Sequence, residues 1–421
     1  MRQDVKWGGG DRGRAQAERL TRKKRMPRSR PVLVRIVCMT TRFGTAVPLL
    51  GIIALALVLA ELLLRVVGFS HPVFAQADSV TGFAHIPGAR GWYAAEGRGY
   101  VRINSDGWRD KERPFQKPAG VTRIAILGDS YMEAMQVSED SAFPSLLEHN
   151  LNRTLPGRYD VLNLGVSGFG TAQELLVLRH SAFAYSPDAV ILAFTTGNDV
   201  SDNSRAIRRL DYVPYFRFVD ERLVLDSSFR TSRGFLARRS WRARVPAFLV
   251  QHSRVAQLVR AAKIFARNAR RPAQSRVDPE VYLNPPPDSL WAEAWNVTER
   301  LVALINVECR ARHIPFYVIT LSNPEQVTPD AARQRALAAE LGVPDLFQPE
   351  RRLEQAGIRH RFPVLTLAPF LASQAIATQQ YYHGFGKYRN RGHWNERGHR
   401  AAATLASAWL AERLLRAGDE E

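Results

Sequence analysis

Cysteine is scarce: the 421-residue chain has two, Cys38 and Cys309. That excludes the disulfide framework that staples small secreted domains. No CxxC pair exists to hold a structural zinc. His, Cys and acidic residues do not gather at ligand spacing, so neither a metal nor another cofactor is called for. There is no internal repeat and no long low-complexity tract, which excludes solenoid and fibrous architectures.

Acidic residues are also in short supply, 40 against 59 Lys and Arg, for a formal charge of +19. The excess is uneven. Residues 1–42 hold 13 basic and 3 acidic side chains, so a tenth of the chain carries about half the net charge. A nucleic-acid binder would carry a basic stripe on its folded domain. Here the basic stretch adjoins an apolar one, which points to a membrane and to orientation across it. No nucleic-acid partner is expected.

Long apolar runs are nearly absent, and the one that exists stands out. From Ala46 to Leu64 the only charge is Glu61, close to the ~20 residues a helix needs to cross a bilayer. A signal peptide would have a core of about 7–15 residues ending in small residues at a cleavage site. This run closes on Glu61-Leu62-Leu63-Leu64-Arg65 instead. Residues 43–67 are therefore expected to be a transmembrane helix, with 1–42 a disordered cytoplasmic tail. Everything beyond residue 68 is then outside the inner (cell) membrane. Cys38 and Cys309 fall on opposite sides, and Cys309 is expected to be a small buried residue of a helix.

Residues 70–120 are rich in Gly, Pro and aromatics. Gly91-Trp92-Tyr93 and Tyr100-Val101-Arg102-Ile103 look like short strands, and Asn104-Ser105-Asp106-Gly107 like a turn. They predict a small β-rich preface, with Trp108, Arg109 and Asp110 serving packing. From 121 to 415 strands and helices alternate. Strands are predicted at Val121–Leu127, Tyr159–Leu164, Ala189–Thr195, Ile314–Leu321 and Phe362–Leu367. Helices are predicted at Ser141–Asn152, Thr171–Ser181, Trp291–Arg310, Thr328–Leu341 and Glu396–Leu415. Such alternation implies an α/β fold with a doubly wound parallel sheet. Residues 200–285 interrupt it with a hairpin at Tyr212–Leu225 and an arginine-rich stretch. That insertion is expected to form a lid.

The first strand ends abruptly in Gly128-Asp129-Ser130. In open α/β sheets ligands bind at the carboxyl edge of the strands, and a tight turn into a helix there can hold a hydroxyl exposed and rigid. The bland alternative is that Ser130 only caps a helix. Three further loops fall at the same edge. Asn163-Leu164-Gly165-Val166-Ser167-Gly168 follows the second strand and leaves backbone N–H groups free to face an anion. Gly197-Asn198-Asp199 follows the third strand. Gly392-His393-Trp394 precedes the last helix.

These four blocks, in this order, resemble the SGNH/GDSL hydrolase superfamily over roughly the last 300 residues. The resemblance implies a flavodoxin-like, SGNH-type sheet. It places the four name-giving residues on Ser130, Gly168, Asn198 and His393. Ser130 would then be the nucleophile and His393 the base. The Ser130 and Gly168 N–H groups and the Asn198 amide would form the oxyanion hole.

One feature departs from the family pattern. An aspartate is expected two or three residues before the histidine, where this chain has Asn390 and Arg391. Three accounts follow. Asn390 or a backbone carbonyl orients the imidazole. A carboxylate from elsewhere does so, such as Glu396 or an acid of residues 200–230. Or the domain binds without catalysing. The implied function is a serine esterase acting on a carboxylic ester, such as an O-acetyl group on an envelope glycan or lipid, or a small-molecule ester. The alternatives are an O-acyltransferase using the same serine and a non-catalytic glycan-binding or assembly protein.

Overall fold

The computed structural model describes residues 32–268 and 277–418. Residues 1–31 of the predicted tail lie outside them. The chain divides into two units, residues 1–59 and 60–421. The long helix α1 (Val32–Val66) starts at Val32 rather than at Phe43, because the run Val32–Met39 is nearly all apolar. Its stretch Val47–Val66 is long and apolar enough to cross a membrane.

The second unit opens with two short antiparallel hairpins. One is β1 (Ala75–Asp78) with β2 (Gly82–His85), the other β3 (Arg90–Tyr93) with β4 (Gly99–Arg102). A five-stranded parallel sheet follows: β5 (Val121–Gly128), β6 (Arg158–Gly165), β7 (Ala189–Thr195), β10 (Phe316–Leu321) and β11 (Val364–Thr366). Its order is β6-β5-β7-β10-β11. A separate hairpin, β8 (Tyr215–Val219) with β9 (Arg222–Asp226), lies in the insertion.

Among the helices, α2 (Ser130–Glu133), α3 (Phe143–Thr154), α4 (Thr171–His180), α5 (Asp199–Asp202) and α6 (Arg205–Arg208) follow the first three sheet strands. Then come α7 (Arg233–Arg239), α8 (Trp241–His252) and α9 (Arg254–Asn268) in the insertion. The remainder are α10 (Ser289–Arg310), α11 (Ala331–Glu340), α12 (Gln348–His360), α13 (Ala368–Thr378) and α14 (Glu396–Gly418).

The apolar runs of the sheet are continuous because both faces are covered. Ala125, Leu127, Val190 and Leu192 pack with α4, α10 and α12. Their neighbours Ile124, Ile126, Ala189 and Ile191 pack with α3, α13 and α14. Cys309 is buried in the first of these cores. The strand order reverses direction at β5 and β7, which makes the gap between their carboxyl ends the crevice of the fold. Gly128 pairs with both Gly165 and Ala193, so the loops after β5, β6 and β7 leave the sheet at one level.

Helices α12, which carries few apolar residues, and α13 were not foreseen, whereas β11 falls inside the strand predicted at Phe362–Leu367. The insertion fits a lid only in its first part, where Arg208 of α6 stands against Gly168. Helix α9 bonds instead to residues 61–72.

Candidate active site

Ser130 is the first residue of α2, immediately past the end of β5. Asp129 caps that helix, its Oδ1 accepting from the Tyr131 N–H at 2.9 Å. The chain leaves α2 through Ala134 in the left-handed region (φ 51°), so the helix is a single turn. Ser130 is thereby held on a tight bend and half-buried. Its N–H, and that of Gly168, makes no protein hydrogen bond among the described residues.

His393 reaches the serine from the irregular segment before α14. The backbone there is pinned on several sides. Trp394 is fully buried and donates Nε1–H to Ser322 Oγ at 2.8 Å. Gly384 N–H bonds the His393 carbonyl at 2.9 Å, and the Tyr131 hydroxyl donates to the Gly392 carbonyl at 3.3 Å. His393 Nε2 stands 2.7 Å from Ser130 Oγ.

The other face of the imidazole meets Glu96, in the turn between β3 and β4. Glu96 Oε2 lies 2.6 Å from His393 Nδ1, and Oε1 accepts the His393 backbone N–H at 2.7 Å. Two glycines permit this. A side chain at Gly392 (φ +67°) would run into the Glu96 carboxylate, and one at Gly97 into the Gln136 carbonyl. Here the sequence expectation is corrected. Neither Asn390 nor Glu396 bonds the imidazole among the described residues. The Asn390 N–H goes to the His383 carbonyl, and Glu396 is exposed at the start of α14. Among the described residues the insertion supplies no acid to His393 either. Arg391 points to solvent.

Burial pulls the His393 pKa down, but the hydrogen bond and charge of Glu96, with Asp129 and Glu133 nearby, outweigh it and raise it above 6.5. Burial likewise pushes the Glu96 carboxyl up, and its bonds to His393 bring it net below the usual range. The serine, imidazole and carboxylate thus form one hydrogen-bonded line, with the cationic imidazole favoured by its partner. The neighbouring histidines differ. Burial lowers His383 to about 4 and His399 to about 3, so both are neutral.

Asn198 follows β7, across the crevice from Ser130. Its amide Nδ2 donates to Asp202 Oδ2 at 3.1 Å and to Asp129 Oδ2 at 3.3 Å. Both amide hydrogens face carboxylates in the resting structure, and an oxyanion would have to displace the longer bond. Buried carboxylates surround this point. Burial raises the pKa of Asp129, and burial together with the carboxylates beside them raises those of Glu174 and Asp199 well above the usual range. Asn163 binds the loops together, donating to the Arg109 and Met132 carbonyls at 3.1 and 2.8 Å.

The preface also underpins α2. His85 Nε2 lies 2.5 Å from Glu133 Oε1, with His85 Nδ1 on the Gly107 carbonyl at 2.9 Å. Ser167 Oγ donates to the other Glu133 oxygen. Buried Arg109 donates to the Glu133 and Val137 carbonyls at 2.5 and 2.7 Å. Glu96, His85 and Glu133 were missed in the sequence because nothing local marks them. Glu96 sits in a Gly-flanked turn, and one acid among many carries no signal of its partner.

The chain matches no protein-family model and no curated protein. Solved structures similar to it include the acetyl xylan esterase AlAXEase, at 10% identity and TM-score 0.37 over 69% of this chain and 98% of that one. A lipase/acylhydrolase from Enterococcus faecalis matches at 13% and 0.34, over 69% and 96%. A catalytic mutant of Axe2, an acetylxylan esterase from Geobacillus stearothermophilus, matches at 12% and 0.36, over 68% and 93%. The structural neighbours are thus SGNH/GDSL lipolytic hydrolases and acetyl xylan esterases, at low identity.

Proposed function

We propose that this protein is a serine ester hydrolase working through an acyl-serine intermediate. The observation that carries the reading is the line from Ser130 Oγ through His393 to Glu96, at 2.7 and 2.6 Å. His393 takes the Ser130 proton as Oγ attacks the ester carbonyl. The Ser130 and Gly168 N–H groups and the Asn198 amide meet the oxyanion. The imidazolium then protonates the departing alcohol, and the acyl group remains on Ser130. Water, deprotonated by the same imidazole, releases the acid and restores the serine. Glu96 holds the ring in the required tautomer and stabilises its charge.

The substrate class we favour is an O-acyl ester, such as O-acetyl on an envelope glycan or lipid. The apolar stretch Val47–Val66, read as an anchor with the basic N-terminus on the cytoplasmic side, supports this substrate class. The test is labelling of the full chain by a fluorophosphonate, beside Ser130→Ala and His393→Ala. Labelling in the wild type alone is expected. A folded wild type that takes no label would overturn the nucleophile assignment and leave a binding domain.

A further inference from the structure

The helical half of the insertion turns its apolar side outward. In α8, Trp241, Val245, Phe248 and Leu249 are 70, 51, 64 and 52% exposed. Their spacing of i, i+4, i+7 and i+8 puts them on one face. Exposed Arg242 and Arg244 border that stripe, while Ala243, Ala247 and Val250 are half-buried on the opposite side. Helix α9 repeats the arrangement. Leu258, Val259 and Phe265 are exposed, whereas Gln257 is buried and Arg254 and Arg260 are half-buried. A surface helix of a soluble protein does the reverse, packing its apolar stripe inward.

A second observation concerns position. The last turns of α1 hold the corner between α8 and α9. Arg65 Nη2 donates to the His252 carbonyl at the carboxyl end of α8, at 2.8 Å. Glu61 accepts from the N–H groups of Arg254 and Val255, the first residues of α9, at 2.9 and 3.0 Å, and from Ser253 Oγ at 3.0 Å. A cation at one helix's carboxyl end and an anion at the next helix's amino end each match the local dipole. Both belong to the apolar stretch Val47–Val66, so the corner lies where that stretch ends.

We propose that α8 and α9 form a platform lying on the bilayer that α1 enters. The Trp241–Leu249 stripe and its α9 counterpart sit at the boundary between acyl chains and headgroups. Arg242 and Arg244, with exposed Arg238, Arg239 and Lys263, meet anionic lipid phosphates. Arginines at the edges of an apolar stripe suit this, since their stems lie along the apolar surface while the guanidinium reaches the phosphates. The proposal rests on reading α1 as a membrane anchor. It fixes the attitude of the domain, so that Ser130 is held at a set height over the lipid surface.

The experiment uses the full chain reconstituted in phosphatidylcholine vesicles, with and without phosphatidylglycerol. Phe248→Cys carries an environment-sensitive fluorophore, in a Cys38→Ser background. Ile358→Cys, at an exposed position on α12, is the control. Spin-labelled lipids are expected to quench the probe at 248 several-fold more than the probe at 358, and more so with phosphatidylglycerol. Equal quenching at the two positions would overturn the proposal. So would a probe at 248 that is shielded but not quenched, which would assign this face to a second copy or another protein. Alkaline carbonate extraction tests the anchor separately, since a chain that washes out refutes the anchor whatever the probe at 248 reports. W241E/F248E is expected to bring a probe at Leu249→Cys to the control level. Hydrolysis of soluble p-nitrophenyl acetate should not change.

Discussion

Glu96 and His393 stand 297 positions apart in the chain and 2.6 Å apart in space. The carboxylate comes from a hairpin turn that precedes the sheet, and the imidazole from the last loop before the closing helix. Two bonds join them, one to the ring and one to the backbone N–H. In the proposed triad the preface is therefore part of the site, and the acid comes from the opposite direction to the one the family pattern suggests.

If Glu96 orients the base, Glu96→Gln should lower kcat for p-nitrophenyl acetate by a factor on the order of 10⁴ with the fold intact, the cost of losing the tautomer in serine triads. Glu96→Asp should restore part of that rate. Glu396→Gln should stay within about twofold of wild type. A large loss at Glu396 and none at Glu96 would reverse the assignment.

The pH profile tests the same pair. His393 must be neutral to accept the serine proton, and its pKa is raised above 6.5. Activity should therefore climb with pH along a limb centred above 6.5, and Glu96→Gln should move that limb toward acid. Stability runs the other way. A raised histidine pKa contributes stability that is fully present below 6.5 and fades as pH rises through the folded-state value. The depressed Glu96 pKa contributes above 4.5 and fades as pH falls. The pair should stabilise most between these limits, where activity is still rising. Thermal melts and kcat/KM measured across the same pH series would check both.

Asn198 is held between Asp129 and Asp202. Asn198→Ala should cost about 10²–10³ in kcat, roughly 3–4 kcal/mol, with KM little changed. Asn198→Asp should be worse for folding, because it puts a third carboxylate against two buried ones. Its melting temperature should recover as pH is lowered, unlike that of the alanine variant.

The pairing of His85 with Glu133 is almost completely buried. His85→Ala leaves a charge without its partner and should destabilise the fold by about 3–5 kcal/mol. Urea unfolding would measure it. A change within 0.5 kcal/mol would show that the preface does not brace α2.

Much of the framework was legible because it is local. The β-branched runs of β5, β6 and β7 and the Gly-rich loops after them announce a parallel sheet with a site at its carboxyl edge. Ser130, Gly168 and Asn198 fall at strand-end loops that periodicity locates, while the family resemblance singled out those residues and His393. What was not legible depends on chain reversal. The turn bearing Glu96 is marked by glycines, and glycine tells only that the backbone bends closely past something. What it bends past, Gln136 and Gly392, lies 39 and 295 residues further on. Helix α12 escaped because the residues it buries, Pro349, Glu350, Leu353, Ala356 and Gly357, include one large apolar side chain and so give no apolar stripe to read.

The same separation has a consequence in time. Ser130 is made 263 residues before the histidine beside it. At synthesis rates of about 5–20 residues per second, the hydroxyl waits on the order of tens of seconds for its base. During that interval the emerging chain has a serine and its carboxylate but no proton acceptor between them. Under the proposed mechanism chemistry would start only once His393 has arrived, so a chain cut short of it would be silent rather than indiscriminate.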